Sequence, residues 1–164
     1  MTRTAPVPAG WAVALCGTLA VAALAVAPPV LGGTAGDVIH HAFSVACHQM
    51  PERSPHLAGS PIALCHRCSG ILAGLIVGIA VVPALAAGWR QRVASGAQAG
   101  WLVAAVVPTA VDWLLGATGV WANTPASRLL TGALFGVVAG VILGANLFVA
   151  RAPLSSSTPL CDAQ

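Results

Sequence analysis

Four stretches of this chain are too long and too apolar to end in water. Residues 10–31, 69–89, 98–117 and 128–150 each supply about 20 mainly apolar positions, the length a helix needs to cross a bilayer. Only 7% of the 164 residues are charged, against about 25% in soluble domains, so a water-soluble fold could not cover its own surface. The sequence predicts an all-α polytopic membrane helix bundle with about four transmembrane helices and one short interfacial helix. Residues 1–151 read as a single membrane domain with a Cys/His loop at 32–68, and 152–164, rich in Ser, Thr and Pro, as a disordered tail.

The first apolar run also resembles a secretory signal, with Arg3 ahead of it and Ala25-Val26-Ala27 near its end. Pro28 directly after that site disfavours cleavage, so the run reads as a retained helix. Trp11, Trp89, Trp101 and Trp121 flank span ends, as interface anchors do. The net charge of +3 comes from arginines alone, too few and too scattered for a nucleic-acid footprint. The bilayer is the expected partner.

Glycines mark two of the runs. Gly70, Gly74 and Gly78 recur every four residues, as do Gly132, Gly136, Gly140 and Gly144, which puts small residues on one helix face where backbones approach closely. Ser69-Gly70-Ile71-Leu72-Ala73-Gly74 also parallels Thr131-Gly132-Ala133-Leu134-Phe135-Gly136. The pattern predicts two helical hairpins related by a weak repeat, with the glycine-faced helices central. The same faces are the expected surface for a membrane-protein partner or a second copy of the chain.

Arginine placement gives an orientation. In a four-helix arrangement Arg3, Arg90, Arg92 and Arg151 share one side, and Arg53, Arg67 and Arg128 the other. The positive-inside rule then puts both termini in the cytoplasm, the cysteine loop outside, and the protein in the inner (cytoplasmic) membrane.

Between the first two spans lies the chemistry. Asp37, His41, Ser44 and His48 share a face at helical spacing, which predicts an interfacial helix ending before Pro51. The strings CHQMPERS (47–54) and Cys65-His66-Arg67-Cys68 follow, the second directly ahead of the second span. A CxxC pair at a helix start, beside an arginine, can act as a redox dithiol. The same spacing lets both sulfurs bind one zinc ion, with Cys47 and His48 completing a tetrahedral set, and His41 or Asp112 as substitutes. A plain disulfide bracing the loop is the third reading. His40, His56 and His66 read as exposed or interfacial residues. Cys16, inside an apolar run, and Cys161, in the tail, read as inert.

In the same arrangement the second span starts, and the third ends, at the cysteine face. Cys47, His48, Glu52, Arg53, Cys65, Arg67, Cys68, Asp112, Asn123 and Arg128 therefore converge on one end of the bundle, with Asp112 and Arg128 expected as a structural ion pair. An acid inside a span is costly and turns toward protein or water.

These strings, with Pro108-x-x-x-Asp112 and Asn123 ahead of Arg128-x-x-Thr131-Gly132-x-x-x-Gly136, resemble a family of small prokaryotic predicted membrane proteins catalogued as a domain of unknown function. The resemblance runs from about His41 to Gly140. It implies a membrane protein, marks Cys47, His48, Arg53, Cys65, Arg67, Cys68, Asp112 and Arg128 as family pattern, and supplies no activity. Relatives are expected to carry Gly after the aspartate, where this chain has Trp113.

The leading expectation is a metal site of Cys47, His48, Cys65 and Cys68, with zinc first and copper second, since thiolates and imidazole suit soft ions. The alternatives are a thiol–disulfide oxidoreductase using Cys65 and Cys68 with a quinone, and a non-catalytic assembly protein. Enzymatic activity is not the expected role.

Overall fold

A computed structural model describes residues 8–149 of the chain. Arg3, Arg151, Cys161 and the tail expected to be disordered lie outside the described residues. The protein is an all-α bundle. Its helices are α1 (Ala9–Val26), α2 (Pro28–Leu31), α3 (Gly33–Phe43), α4 (His66–Val81), α5 (Ala87–Ser95), α6 (Gln98–Ala117) and α7 (Pro125–Val149). Among the described residues, four segments are long and apolar enough to cross a membrane: Ala9–Val26, His66–Ala84, Gln98–Ala117 and Pro125–Val149.

Prolines set where two of the apolar runs stop being helix. The first run yields α1 and then one separate turn that opens on Pro28, and Gly32 (φ +60°) and Gly33 (φ +52°) redirect the chain into α3. In the second run α4 tightens at Val82–Ala84 around Pro83, and Leu85 is extended. Residues 85–89 therefore leave the span, and Trp89 joins α5. Proline has no N–H to continue a helix. The Ile79 carbonyl four residues before it accepts from Trp11 Nε1 at 2.7 Å, and past the break Arg90 donates to the carbonyls of Pro83 (3.2 Å) and Leu85 (2.9 Å). Pro108 stays inside α6, where the neighbouring Thr109 hydroxyl ties that helix to α7 by donating to the Thr131 carbonyl at 2.9 Å.

The centre of the bundle is the α4–α7 pair. Both glycine faces are buried and meet each other. A Cβ on Gly74 would lie 2.8 Å from the Val137 amide nitrogen, one on Gly78 equally close to that of Val141, and one on Gly136 2.9 Å from that of Leu75. Only glycine admits this backbone approach. The register climbs in the same direction along both helices, so the pair is parallel.

The contacts are also reciprocal. Gly70 faces the Leu129 carbonyl and Gly132 faces that of Arg67, and Gly74 and Gly136 exchange the carbonyls of Ala133 and Ile71 in the same way. Each contact is carried into its reciprocal by exchanging positions 62 residues apart (70 with 132, 67 with 129, 74 with 136, 71 with 133), the offset of the sequence repeat. The repeat is thus a local two-fold axis running along the helices, the arrangement of parallel repeats in membrane proteins. Outside it, α1 packs on α4 and α6 on α7. The glycine faces expected to receive a partner are filled by the chain's own second glycine helix.

Candidate metal centre

The loop between α3 and α4 is pinned before it delivers any cysteine. Helix α3 ends at Phe43 with Ser44 as its cap, so His48 does not continue the face of Asp37, His41 and Ser44 as the spacing suggested. Two polar side chains take its last carbonyls. Ser44 Oγ donates to His41 (2.7 Å), and the Gln49 amide donates to His40 (2.6 Å) and to Ala63 (2.9 Å). Gln49 reaches both from a left-handed backbone at φ +49°. The Ala63 amide in turn donates to the Ala25 carbonyl at 2.9 Å, which anchors the loop to the end of α1.

Between these ties a two-residue turn, Ala58-Gly59, closes a small hairpin of β1 (His56–Leu57) and β2 (Ser60–Pro61). Both turn residues have positive φ, as a type I′ turn requires. His66 Nδ1, carrying its proton, donates to the Arg53 carbonyl at 2.7 Å. That hydrogen bond fixes CHQMPERS against the start of α4.

Three sulfurs result. Cys47 is buried at 4% exposure in a small core with Ala25 and Leu64, flanked by Phe43 and Leu72. Cys65 is the last extended residue before α4, and Cys68 lies in its first turn. The Sγ atoms of Cys47, Cys65 and Cys68 all lie within 4.8 Å of one another. All three are free thiols, and the Cys65 amide donates to Cys47 Sγ at 3.2 Å.

Cys65 is the acidic thiol of the group. The Cys68 thiol donates to it and the amides of Cys68 and Arg67 add to that, against an opposing push from burial, so that Cys65 is held down to about 4. Thiolates at a helix start gain from the exposed N–H groups and the helix dipole.

His48 is exposed and stands outside this three-sulfur group, as are His41, Glu52 and Arg53. Adjacency to Cys47 in sequence explains this: with Cys47 turned into the core, its neighbour turns to solvent.

A second polar cluster sits beside the sulfurs. Arg67, in the first turn of α4, forms an ion pair with Asp112 of α6. The Asn123 amide donates to the Asp112 carbonyl at 2.6 Å and to its carboxylate at 3.3 Å, and Arg128 donates to Asn123 Oδ1 at 3.2 Å. The expected Asp112–Arg128 pair is therefore replaced by Arg67–Asp112, and Arg128 reaches the acid only through Asn123. Gly116 makes the room: a Cβ there would lie 2.6 Å from Asn123 Cγ. Arg67 Nε and Ser69 Oγ are buried without hydrogen-bond partners among the described residues.

Gln49 and Ser54, the latter 3% exposed with its hydroxyl donating to Met50 at 3.0 Å, shape the site without having been singled out. Their place inside CHQMPERS was the available signal.

The family described as "Predicted membrane protein (DUF2085)" matches residues 47–142, and the chain belongs to it. The matched segment holds the three cysteines, the Arg67–Asp112 pair and both glycine faces up to Gly140, and leaves out α1. An uncharacterized protein of the archaeon Methanocaldococcus jannaschii is 31% identical over 98 residues, which cover 60% of this chain. The chain spans 61% of the length of that relative. No solved structure matches the chain at a significant level.

Proposed function

We propose that this family member is a multi-pass membrane protein that holds a soft metal ion between Cys47, Cys65 and Cys68, with zinc the first candidate. The observation that carries the reading is the meeting of three sulfurs from two separately pinned segments within 4.8 Å. Two thiolates bound tetrahedrally to one ion at about 2.3 Å lie about 3.8 Å apart. Closing movements of about 1 Å, within the reach of side-chain rotation, complete the set. The low pKa of Cys65 keeps one ligand deprotonated at neutral pH, and the Cys65 amide orients Cys47 Sγ toward the other two sulfurs.

His48 is the fourth ligand of this proposal and must swing inward to serve. Without it the ion keeps an exchangeable fourth position, the arrangement of reactive or transferring sites, whereas four protein ligands suit a structural one. A three-thiolate set without imidazole favours monovalent copper. By the positive-inside rule the end carrying Arg90 and Arg92 is cytoplasmic, and the sulfurs face the other side.

The test is metal content of detergent-purified protein prepared without reductant or chelator. About one zinc or copper per chain, absent from Cys65→Ser and from Cys47→Ser, is expected. A full metal load in both variants would overturn the site.

One observation favours a second reading. Cys65 and Cys68 have the geometry of an exchange dithiol, with Cys65 as the attacking thiolate. The Cys65 thiolate would attack one sulfur of a partner's disulfide and expel the other as a thiolate. Cys68, giving up its proton, would then displace the partner's first sulfur and close the Cys65–Cys68 disulfide, so that two electrons pass to the partner with the Cys68 proton and one more from water. A quinone is the weaker acceptor, because the large apolar groove of this protein begins near Val81. Thirteen helical residues, about 20 Å, separate that position from Cys68.

A further inference from the structure

At the end of the bundle opposite the sulfurs, α4, α5, α6 and α7 surround an apolar groove of about 560 Å³. Its walls include Val81, Leu85, Trp101, Val138 and Ile142, and Trp89 and Arg92 of α5 stand on its lining. Its volume lies within the range of about 300–1,000 Å³ typical of small-ligand sites.

The charge around it is one-sided. Asp37, Glu52 and Asp112, the carboxylates among the described residues, all belong to the cysteine end. Arg90 is already engaged, with its guanidinium 5.1 Å from the centre of the Phe148 ring and hydrogen bonded to the Pro83 and Leu85 carbonyls. Arg92 is exposed and forms no ion pair among the described residues. An apolar slot at span-end depth, rimmed by two tryptophans and one uncommitted guanidinium, matches a molecule with a hydrocarbon chain and an anionic head.

We propose that this groove is a binding site for an anionic phospholipid, with one acyl chain between α4, α6 and α7 and Arg92 on the headgroup phosphate. Bidentate pairing suits arginine and phosphate, and a headgroup without an ammonium leaves that charge uncompensated. Trp89 and Trp101 flank the chain at the depth where indoles settle. The site is independent of the metal reading, being about 20 Å from Cys68 along α4.

The test titrates the detergent-purified full chain with phosphatidylglycerol or phosphatidylcholine carrying brominated acyl chains, and reads quenching of tryptophan fluorescence. Phosphatidylglycerol should reach half-quenching at a concentration about fivefold lower, the preference that one arginine near an anionic surface supplies. Arg92→Ala should bring the two lipids to equal concentrations, Arg92→Lys should keep most of the preference, and Val138→Phe should weaken both lipids by filling the slot. Equal half-quenching in the unaltered protein, or a preference that survives Arg92→Ala, would overturn the proposal. So would displacement of phosphatidylglycerol by a neutral quinone at lower concentration, which would assign the groove to the quinone.

Discussion

The two ends of the α4–α7 pair are built from opposite materials. At the sulfur end, hydrogen bonds and charge do the holding. Gln49 closes α3 onto the loop, Arg67 meets Asp112, and Asn123 links that acid to Arg128. At the groove end aromatic packing dominates. Trp11 meets Phe148 edge to face with centroids 5.9 Å apart, Arg90 lies over the same ring, and Trp11 Nε1 donates to the Ile79 carbonyl at 2.7 Å. One glycine-lined contact joins them. The difference teaches that a single parallel helix pair can carry two unrelated surfaces, because its own packing needs neither: the glycines supply close approach all along, and each end is free to specialise.

That separation can be broken or sharpened by experiment. The largest effect should be chemical. In metal-stripped protein, alkylation of Cys65 by a membrane-impermeant reagent should change less than twofold between pH 6 and 8. An ordinary thiol with a pKa near 8.5 gains roughly 50- to 100-fold over that range. The sign follows from a depressed pKa: the thiolate persists above about 4 and is lost only as pH falls through that value. A rate that climbs steeply from pH 6 to 8 would remove the acidic thiol from the sulfur end.

Next in size is Asp112→Asn, which leaves the Arg67 charge largely enclosed with no counter-ion. Breaking such a pair costs about 3 kcal/mol, visible as a lower unfolding midpoint in detergent, while phosphatidylglycerol preference at the groove stays unchanged. The double variant Arg67→Met with Asp112→Asn should recover much of the loss. Equal destabilisation in single and double variants would mean that the pair holds nothing together.

The smallest effect belongs to the groove end. Trp11→Phe keeps the ring contact with Phe148 and removes one hydrogen bond, a loss of about 1 kcal/mol. Metal content should not change. A fall in metal content would show that the two ends are coupled through α1, whose far end carries Ala25 beside Cys47.

Much of this architecture was legible because it rests on periodic or compositional signals. Apolar runs marked the spans, glycines four residues apart marked the central faces, and the match of 69–74 with 131–136 gave the offset that the two-fold contacts obey. The breaks at Pro28 and Pro83 were harder to read, because a proline can stay within a helix, as Pro108 does in α6. Whether it ends one depends on how the backbone around it is satisfied: the Ile79 carbonyl, four residues before Pro83, accepts from Trp11 Nε1, and Arg90 takes the carbonyls past the break. The candidate site divided in the same way. Cys65 and Cys68 follow from their spacing, and the nearness of Cys47 from loop length. The outward turn of His48 depends on which neighbour the core accepts.

The sequence by itself determined that this is a membrane-spanning helical protein, which helix faces allow close approach, and which end gathers sulfur and charge, since backbone satisfaction in a bilayer allows little else. Tertiary structure decided the partners. It gave Asp112 to Arg67 rather than Arg128, set Asn123 between them over Gly116, closed the glycine faces on each other, and left a groove beside Arg92. Side chains far apart in sequence are paired by the register and rotation of packed helices, and the glycine contacts fix both of those only once the chain has folded.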